Sequence, residues 1–191
     1  MIWATSQTCP DVAYETCQMA NTGKNPSVKM ILEANRAVSK LKKKNVSITF
    51  KNLGNPEDLG VEVYTDATHA SLSDCSSQGA FLIFLKGRNG KTVPISWQSK
   101  RIQRVTKSPL ASEASALGEG ADAGYLLASM VKEVFNLKST PPIHCKTDSK
   151  SLVQTLHTST SVSDRRLKVD IARLRQMTQS DEISVSWVRG R

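Results

Sequence analysis

A nearly continuous apolar run at residues 79–85, GAFLIFL, constrains the fold of this chain more than any other feature. Such a run is typical of a strand that is buried on both faces of a sheet. β-forming residues also dominate residues 61–65 and residues 92–99, and a turn at residues 87–90 separates the last two segments. Three successive strands with short connections predict an antiparallel meander.

Helices and strands alternate after the meander. Ser108 and Pro109 supply an N-cap and a first-turn proline, which predict the start of a long helix. The predicted elements are, in order, a helix at residues 108–132, a strand at 143–147, helices at 150–157 and 164–179, and a strand at 183–188. The order β-β-β-α-β-α-α-β predicts an α/β fold with a mixed five-stranded sheet flanked by helices.

The N-terminal part of the chain has a different pattern. The predicted elements there are helices at residues 11–19 and 26–44 and a short strand at residues 46–50. The following segment, KNLGNPEDLG, is rich in Gly, Asn and Pro and marks the clearest boundary in the sequence. We therefore divide the chain into an N-terminal helical segment, residues 1–55, and an α/β domain, residues 61–191.

Charge and cysteine content narrow the function classes. The formal net charge of +9 favours a polyanionic partner, usually nucleic acid, over an ordinary solvated surface. No apolar run approaches the roughly 18 residues of a membrane span, and the first residues lack the pattern of a secretory signal. The four cysteines are scattered and show no zinc-site spacing. We expect a cytoplasmic or nuclear protein that is neither secreted nor embedded in a membrane.

Three carboxylates lie directly after a predicted strand or near the start of a predicted helix. Asp66 comes directly after the first strand, Asp148 directly after the fourth, and Glu113 lies in the second turn of the long helix. Taken singly, each has an ordinary explanation, a turn residue or a helix-dipole partner. If the first and fourth strands are parallel neighbours, however, the two aspartates stand side by side, and Glu113 can reach the same point.

Clustered carboxylates repel each other strongly unless cations neutralise them. Mg²⁺ binds carboxylate oxygens, and two such ions about 3.5–4 Å apart can promote hydrolysis of a phosphodiester. We therefore predict a two-metal Mg²⁺ site, with Mn²⁺ as an alternative ion, held by Asp66, Glu113 and Asp148. A basic protein with this site suits a nuclease.

The segments TDATHASLSD, SWQSKRIQRVTKSPLASEASAL and KTDSKSLVQTLH resemble the ribonuclease H domain of copia-type LTR-retrotransposon polyproteins. The resemblance covers about residues 61–187, and the family's acids, in the order Asp, Glu, Asp, match Asp66, Glu113 and Asp148. It implies hydrolysis of the RNA strand of an RNA–DNA hybrid, leaving a 5′-phosphate and a 3′-hydroxyl. Transposases and integrases share the fold, but their order is Asp, Asp, Glu, and no Glu follows Asp148 closely.

The N-terminal segment extends this resemblance. ATSQTCPDVAYETCQMA is similar to a stretch near the end of the copia-type reverse transcriptase domain, with Cys9 where Arg is usual. The resemblance implies a polyprotein fragment: the last helices of the polymerase, without its aspartate pair, plus a ribonuclease H domain lacking its last helix. The remainder of the polyprotein is then a partner, together with the RNA–DNA hybrid.

The resemblance also implies residues that bind the hybrid and a fourth acid. Ser149 either contacts a phosphate or caps the following helix. Asp170 is a candidate fourth catalytic carboxylate, but it is also explained by pairing with Arg166 or Arg173. The cations expected to hold phosphates are Lys100, Arg101, Arg104 and Lys107.

Two alternatives to an active enzyme remain open. One is a non-catalytic nucleic-acid-binding or connection-type module, and the other is a decayed, inactive copy. Three glycines in the long helix, Gly118, Gly120 and Gly124, either pack tightly on the sheet or reflect such decay, because each costs roughly 0.5–1 kcal/mol relative to Ala.

Overall fold

The structure is a computed structural model that describes residues 2–21, 26–43, 47–72, 74–158 and 162–190. The helices are α1 (Ile2–Gln7), α2 (Ala13–Ala20), α3 (Val28–Lys43), α4 (Pro109–Phe135), α5 (Lys150–His157) and α6 (Arg165–Gln179). The strands are β1 (Gly60–Thr68), β2 (Gln78–Lys86), β3 (Thr92–Arg101), β4 (Ile143–Thr147) and β5 (Ser184–Trp187).

The five strands form one mixed sheet in the order β3-β2-β1-β4-β5. β1 pairs antiparallel with β2, and β2 pairs antiparallel with β3, which confirms the predicted meander. β4 pairs parallel with β1 and with β5. The predicted fold class, a mixed five-stranded sheet flanked by helices with an N-terminal helical segment, is therefore confirmed.

Local signals fix both ends of α4. The Ser108 side chain accepts a hydrogen bond from the backbone N–H of Ala111, and Pro109 follows in the first turn. At the other end Asn136 adopts a left-handed conformation, with φ of 49°, which closes the helix. The helix thus runs one turn further than the sequence predicted.

Two of the three glycines of α4 allow it to lie close to β1. A Cβ added to Gly120 would lie 2.6 Å from Cγ2 of Thr65, and one added to Gly124 would lie 2.7 Å from Cγ2 of Val63. No such crowding exists at Gly118, where the nearest atom would be 3.8 Å away. Tight packing on the sheet therefore explains Gly120 and Gly124 without any appeal to decay.

The main core lies between the sheet and α4, α5 and α6. Its largest fully buried side chains are Val61, Val63, Ile83, Leu117, Leu152, Ile171 and Leu174. The N-terminal helices lie against β2 and β3 instead. Trp97 donates a hydrogen bond from Nε1 to the carbonyl of Thr5 (2.7 Å), and Gln18 donates to the side chain of Gln78 (3.1 Å).

Two sequence predictions on the N-terminal part need correction, and one helix there was missed. Residues 47–50 are not in a strand, since they pair with none of the five strands of the sheet, and Val46 lies outside the described residues. The second predicted helix begins at Val28 and is described to Lys43, whereas residue 44 lies outside the described residues. α1 was not predicted. Among the described residues, no helix is long and apolar enough to cross a membrane.

Candidate metal centre

The parallel pairing of β1 and β4 places Asp66 beside Asp148. Thr65 pairs with Thr147 in the register of the two strands, and each aspartate is the next residue along its chain. Both aspartates are exposed at this edge of the sheet. The structure therefore brings together the two carboxylates that the sequence predicted to be neighbours.

Glu113 reaches the two aspartates from the second turn of α4. Each of the three residues offers a carboxylate oxygen, and these oxygens all lie within 4.8 Å of one another. The backbone N–H of Ala67, directly after Asp66, donates a hydrogen bond to Glu113. The close contact of α4 with β1 at Gly120 and Gly124 is what permits this approach.

The three carboxylates are electrostatically frustrated in the absence of a cation. Burial, followed by the charges of Asp66 and Asp148, raises the pKa of Glu113 from its ordinary 4.5 to about 7, although the Ala67 N–H opposes this rise. Oε2 of Glu113 is buried and has no hydrogen-bond partner among the described residues. A buried acceptor without a partner lowers the stability of the fold by about 1–3 kcal/mol, so a ligand bound to this oxygen would stabilise the protein.

The donor set fits a hard divalent cation. Carboxylate oxygens are the ligands that Mg²⁺ prefers, and two oxygens on one Mg²⁺ lie at most about 4.2 Å apart. Separations within 4.8 Å therefore leave only a small side-chain adjustment. A cation here would also satisfy Oε2 of Glu113 and remove the repulsion among the three charges.

The end of β5 and the residues after it support Asp148, which no sequence pattern indicated. Trp187 donates a hydrogen bond from Nε1 to the carbonyl of Asp148 (3.1 Å), and the N–H of Val188 bonds to the carbonyl of Thr147 (2.9 Å). A Cβ on Gly190 would lie 2.7 Å from Oδ2 of Asp148. The path of the chain after β5, which no local pattern encodes, therefore limits where this carboxylate can lie.

A hydroxyl cluster fixes the loop after β1 to the start of α4. Nδ1 of His69 lies 3.1 Å from Oγ of Ser112, 3.3 Å from Oγ1 of Thr106 and 3.5 Å from Oγ of Ser77. Oγ of Ser77 also accepts a hydrogen bond from the N–H of Ala70 (3.0 Å). Asp66 lies shortly before this loop, and Glu113 directly follows Ser112. The cluster therefore connects the segments that carry two of the three carboxylates.

The structure does not bring Asp170 to the three carboxylates. Its carboxylate instead forms a two-pronged ion pair with the guanidinium of Arg104, in which Nη1 lies 3.2 Å from Oδ1. The pairing with Arg166 or Arg173 considered above is also wrong. Asp170 lies on α6, and that helix packs beside the connection between β3 and α4 rather than at the end of β1.

Every cation expected to hold phosphates has a carboxylate partner. The pairs are Lys100 with Glu119 (2.9 Å), Arg101 with Asp74 (2.5 Å), Arg104 with Asp170, and Lys107 with Asp164 (3.5 Å). We call these four cations the basic rim. The sequence identified the rim but not its partners, because those partners come from the β1–β2 loop, α4 and the start of α6.

The register of the sheet gives the distance of Lys100 from the end of β1. Ala67 pairs with Gly79, which pairs with Lys100, so Lys100 lies two strands from β1. With strands about 4.8 Å apart, this separation is about 10 Å. Ser149 occupies the N-cap position of α5 without a side-chain capping bond, so the capping role considered for it is not seen.

No protein-family model matches the chain, and no curated protein matches it. LC11 ribonuclease H1, isolated from compost by a metagenomic approach, is 16% identical over 68% of this chain and 84% of its own, with a TM-score of 0.47. Ribonuclease H1 from the halophilic archaeon Halobacterium salinarum is 19% identical over 68% of this chain and 85% of its own (TM-score 0.45).

A foamy viral protease–reverse transcriptase in complex with an RNA/DNA hybrid is 10% identical over 91% of this chain and 26% of its own (TM-score 0.49). At these identities and TM-scores, the similarities say nothing about the activity of this chain. The mixed five-stranded sheet and its flanking helices agree with the fold that the resemblance to ribonuclease H implies. The copia-type origin stays a prediction from the sequence.

Proposed function

We propose that this protein is a divalent-metal-dependent endonuclease that hydrolyses the RNA strand of RNA–DNA hybrids. One observation carries the proposal: three carboxylates from β1, α4 and β4 converge within 4.8 Å, and one of them keeps a buried oxygen without a hydrogen-bond partner. Such an arrangement is unfavourable in an apoprotein and becomes favourable when a hard cation binds.

Asp66, Glu113 and Asp148 would hold Mg²⁺, as two ions, with Mn²⁺ as an alternative. When bound, the metal would stabilise the charge that develops on the phosphodiester oxygens. Glu113 is the more enclosed ligand, fixed by the Ala67 N–H, whereas Asp66 and Asp148 are exposed where a nucleic-acid strand can approach. The expected products are a 5′-phosphate and a 3′-hydroxyl.

The substrate class follows from charge and from the resemblance stated above. A formal net charge of +9 suits a polyanion, and Lys100 of the basic rim lies two strands, about 10 Å, from the end of β1 that carries Asp66. We propose that Lys100, Arg101, Arg104 and Lys107 contact phosphates and that Ser149 is a further contact. Discrimination of RNA from DNA would depend on the 2′-hydroxyl.

We further propose that the chain is part of a retrotransposon reverse transcriptase polyprotein. In this assignment residues 1–55 are the last helices of the polymerase and residues 61–191 form the ribonuclease H-like domain. The contacts of Trp97 with Thr5 and of Gln78 with Gln18 support it, because they attach the helical segment directly to the sheet. The assignment implies a cytosolic or nuclear location.

A cleavage assay tests the function. Purified protein is incubated with a hybrid labelled on either strand, in Mg²⁺, in Mn²⁺ and in EDTA, beside the variants Asp66→Asn and Asp148→Asn. We expect metal-dependent cleavage of the RNA strand alone, lost by at least about 100-fold in both variants. An exposed carboxylate of α4 provides the matched control, Glu133→Gln, which should cleave normally.

A binding module that does not cleave is the second candidate. It is favoured by the ion pair of Asp170 with Arg104, since the described residues then supply three carboxylates and not four. Binding of the hybrid without metal-dependent cleavage would support the module. Equal cleavage by the parent and Asp66→Asn would point to a contaminating nuclease and contradict the enzyme.

A further inference from the structure

The basic rim differs from a simple phosphate-binding surface because its charges are neutralised within the protein. Each rim cation pairs with a carboxylate on another element: Asp74 in the β1–β2 loop, Glu119 on α4, Asp164 before α6 and Asp170 on α6. A phosphate that binds the rim must therefore replace, or share, a carboxylate partner. We call these four acids the guard carboxylates.

The ion pairs of the basic rim are weak enough for phosphates to replace the carboxylates. The rim side chains are between 36% and 76% exposed, so water screens the ion pairs and leaves each of them weak. Arg and Lys bind phosphate oxygens through charge-assisted hydrogen bonds at least as well as they bind carboxylates. A nucleic acid that presents several phosphates at once can therefore displace the guards.

We propose that the guard carboxylates compete with nucleic-acid phosphates for the basic rim and thereby weaken hybrid binding. This inference rests on the proposed function, since it takes nucleic acid as the partner of the rim. The guards hold each cation in place before binding and keep the rim from binding single phosphates or short strands tightly. Only a ligand with phosphates spaced along the rim gains enough to break several pairs together.

Two guards are suitable for testing. Asp74 and Asp164 are excluded because their side chains also accept other hydrogen bonds, Asp74 from the N–H and hydroxyl of Ser76 and Asp164 from the N–H groups of Arg166 and Leu167. Among the described residues, Glu119 pairs with Lys100 alone, and the half-buried Asp170 pairs with Arg104. Glu119→Gln and Asp170→Asn therefore remove the competing charge and keep the shape of the side chain.

The matched control removes one carboxylate far from the rim. Glu133 lies on α4, forms no ion pair among the described residues, and is fourteen residues after Glu119 in the sequence. At 1.5 Å per residue this is about 21 Å along the helix, beyond the roughly 8 Å screening length at 0.15 M salt. Glu133→Gln therefore changes the net charge by the same amount without freeing a rim cation.

The experiment measures the affinity of the full chain for a fluorescent RNA–DNA hybrid by anisotropy, in EDTA so that no cleavage occurs, at roughly 0.15 M salt. We expect Glu119→Gln and Asp170→Asn each to bind about 3–5-fold more tightly than the parent, and Glu133→Gln to change affinity by less than about 1.5-fold. Adding Lys100→Gln should abolish the gain of Glu119→Gln, because the freed cation is then absent. Thermal melts confirm that all variants are folded.

The outcomes separate the inference from the function on which it rests. Hybrid binding by the parent with no gain in either guard variant, or with a gain equal to that of Glu133→Gln, would overturn the inference and leave the proposed function intact. Persistence of the Glu119→Gln gain in the Lys100→Gln background would also overturn it. No measurable hybrid binding by the parent would contradict the proposed function itself.

Discussion

Replacing Glu113 by Gln is expected to stabilise the metal-free protein while removing its activity. Burial, followed by the charges of Asp66 and Asp148, raises the pKa of Glu113 to about 7. Gln keeps the shape and an acceptor for the Ala67 N–H but carries no charge. The substitution therefore relieves repulsion among the carboxylates at the same time as it removes a metal ligand.

The expected magnitude follows from the pKa. Between the ordinary value of 4.5 and about 7, the folded protein holds the Glu113 proton and the unfolded chain has released it, so stability falls as pH rises through this window. For a fully buried group, this rise would amount to about 3 kcal/mol at pH 8, at about 1.4 kcal/mol per pKa unit. Solvent screens a partly exposed side chain, so we expect about 2 kcal/mol.

Urea unfolding of parent and Glu113→Gln in EDTA measures this difference. We expect Glu113→Gln to be more stable by about 2 kcal/mol at pH 8 and by less than about 1 kcal/mol at pH 5, where Glu113 is largely protonated in the fold. Added Mg²⁺ should stabilise the parent more than the variant. Glu133→Gln, on the same helix, should change stability by less than about 0.5 kcal/mol at both pH values.

Two results with Glu113→Gln would contradict this prediction. A Glu113→Gln variant that is less stable than the parent at pH 8 without metal would show that the three carboxylates do not repel each other. An advantage that stays constant between pH 5 and pH 8 would show that it does not arise from the charge of Glu113.

Three further predictions concern packing and reactivity. Gly120→Ala should lower the free energy of unfolding by about 1–3 kcal/mol in urea titrations because its Cβ has no room against β1, whereas Gly118→Ala should raise it by about 0.5–1 kcal/mol; equal effects would contradict the packing. Ser112→Ala should lower the same free energy by about 0.5–1.5 kcal/mol, because it removes the hydroxyl that donates hydrogen bonds to Ser77 and Thr106; an unchanged urea midpoint would be against it. Burial raises the pKa of Cys145 to about 12, so at pH 8 a thiol reagent should label exposed Cys75 quickly and Cys145 only after unfolding; rapid labelling of both would argue against that burial.

Most of the fold could be predicted because its signals are local. The apolar run of residues 79–85 indicates the strand β2, and Ser108 followed by Pro109 indicates the start of α4. Asp66 and Asp148 could be paired from sequence because both follow strands, and parallel neighbours bring such positions to the same edge. Glu113 could be predicted because it lies about one helical turn after the start of α4, and the sequence indicates where that helix starts.

The predictions that failed, or were never made, depended on contacts between distant segments. Residues 47–50 have the composition of a strand, but a strand forms only by pairing with another strand, and these residues pair with none of the five strands of the sheet. Arg104 and Asp170 are far apart in the sequence, so only the position of α6 reveals their pairing. The approach of Gly190 to Asp148 likewise depends on the course of the chain after β5.

Mn²⁺ binding tests most directly whether the three carboxylates form a metal centre. Mn²⁺ is titrated into the metal-free protein at pH 8 while free Mn²⁺ is measured by electron paramagnetic resonance, beside Asp66→Asn and Glu133→Gln. We predict saturable binding by the parent and by Glu133→Gln, which Mg²⁺ displaces, and at least about tenfold weaker binding by Asp66→Asn. Equal Mn²⁺ binding by the parent and Asp66→Asn, or no binding by the parent, would contradict the account.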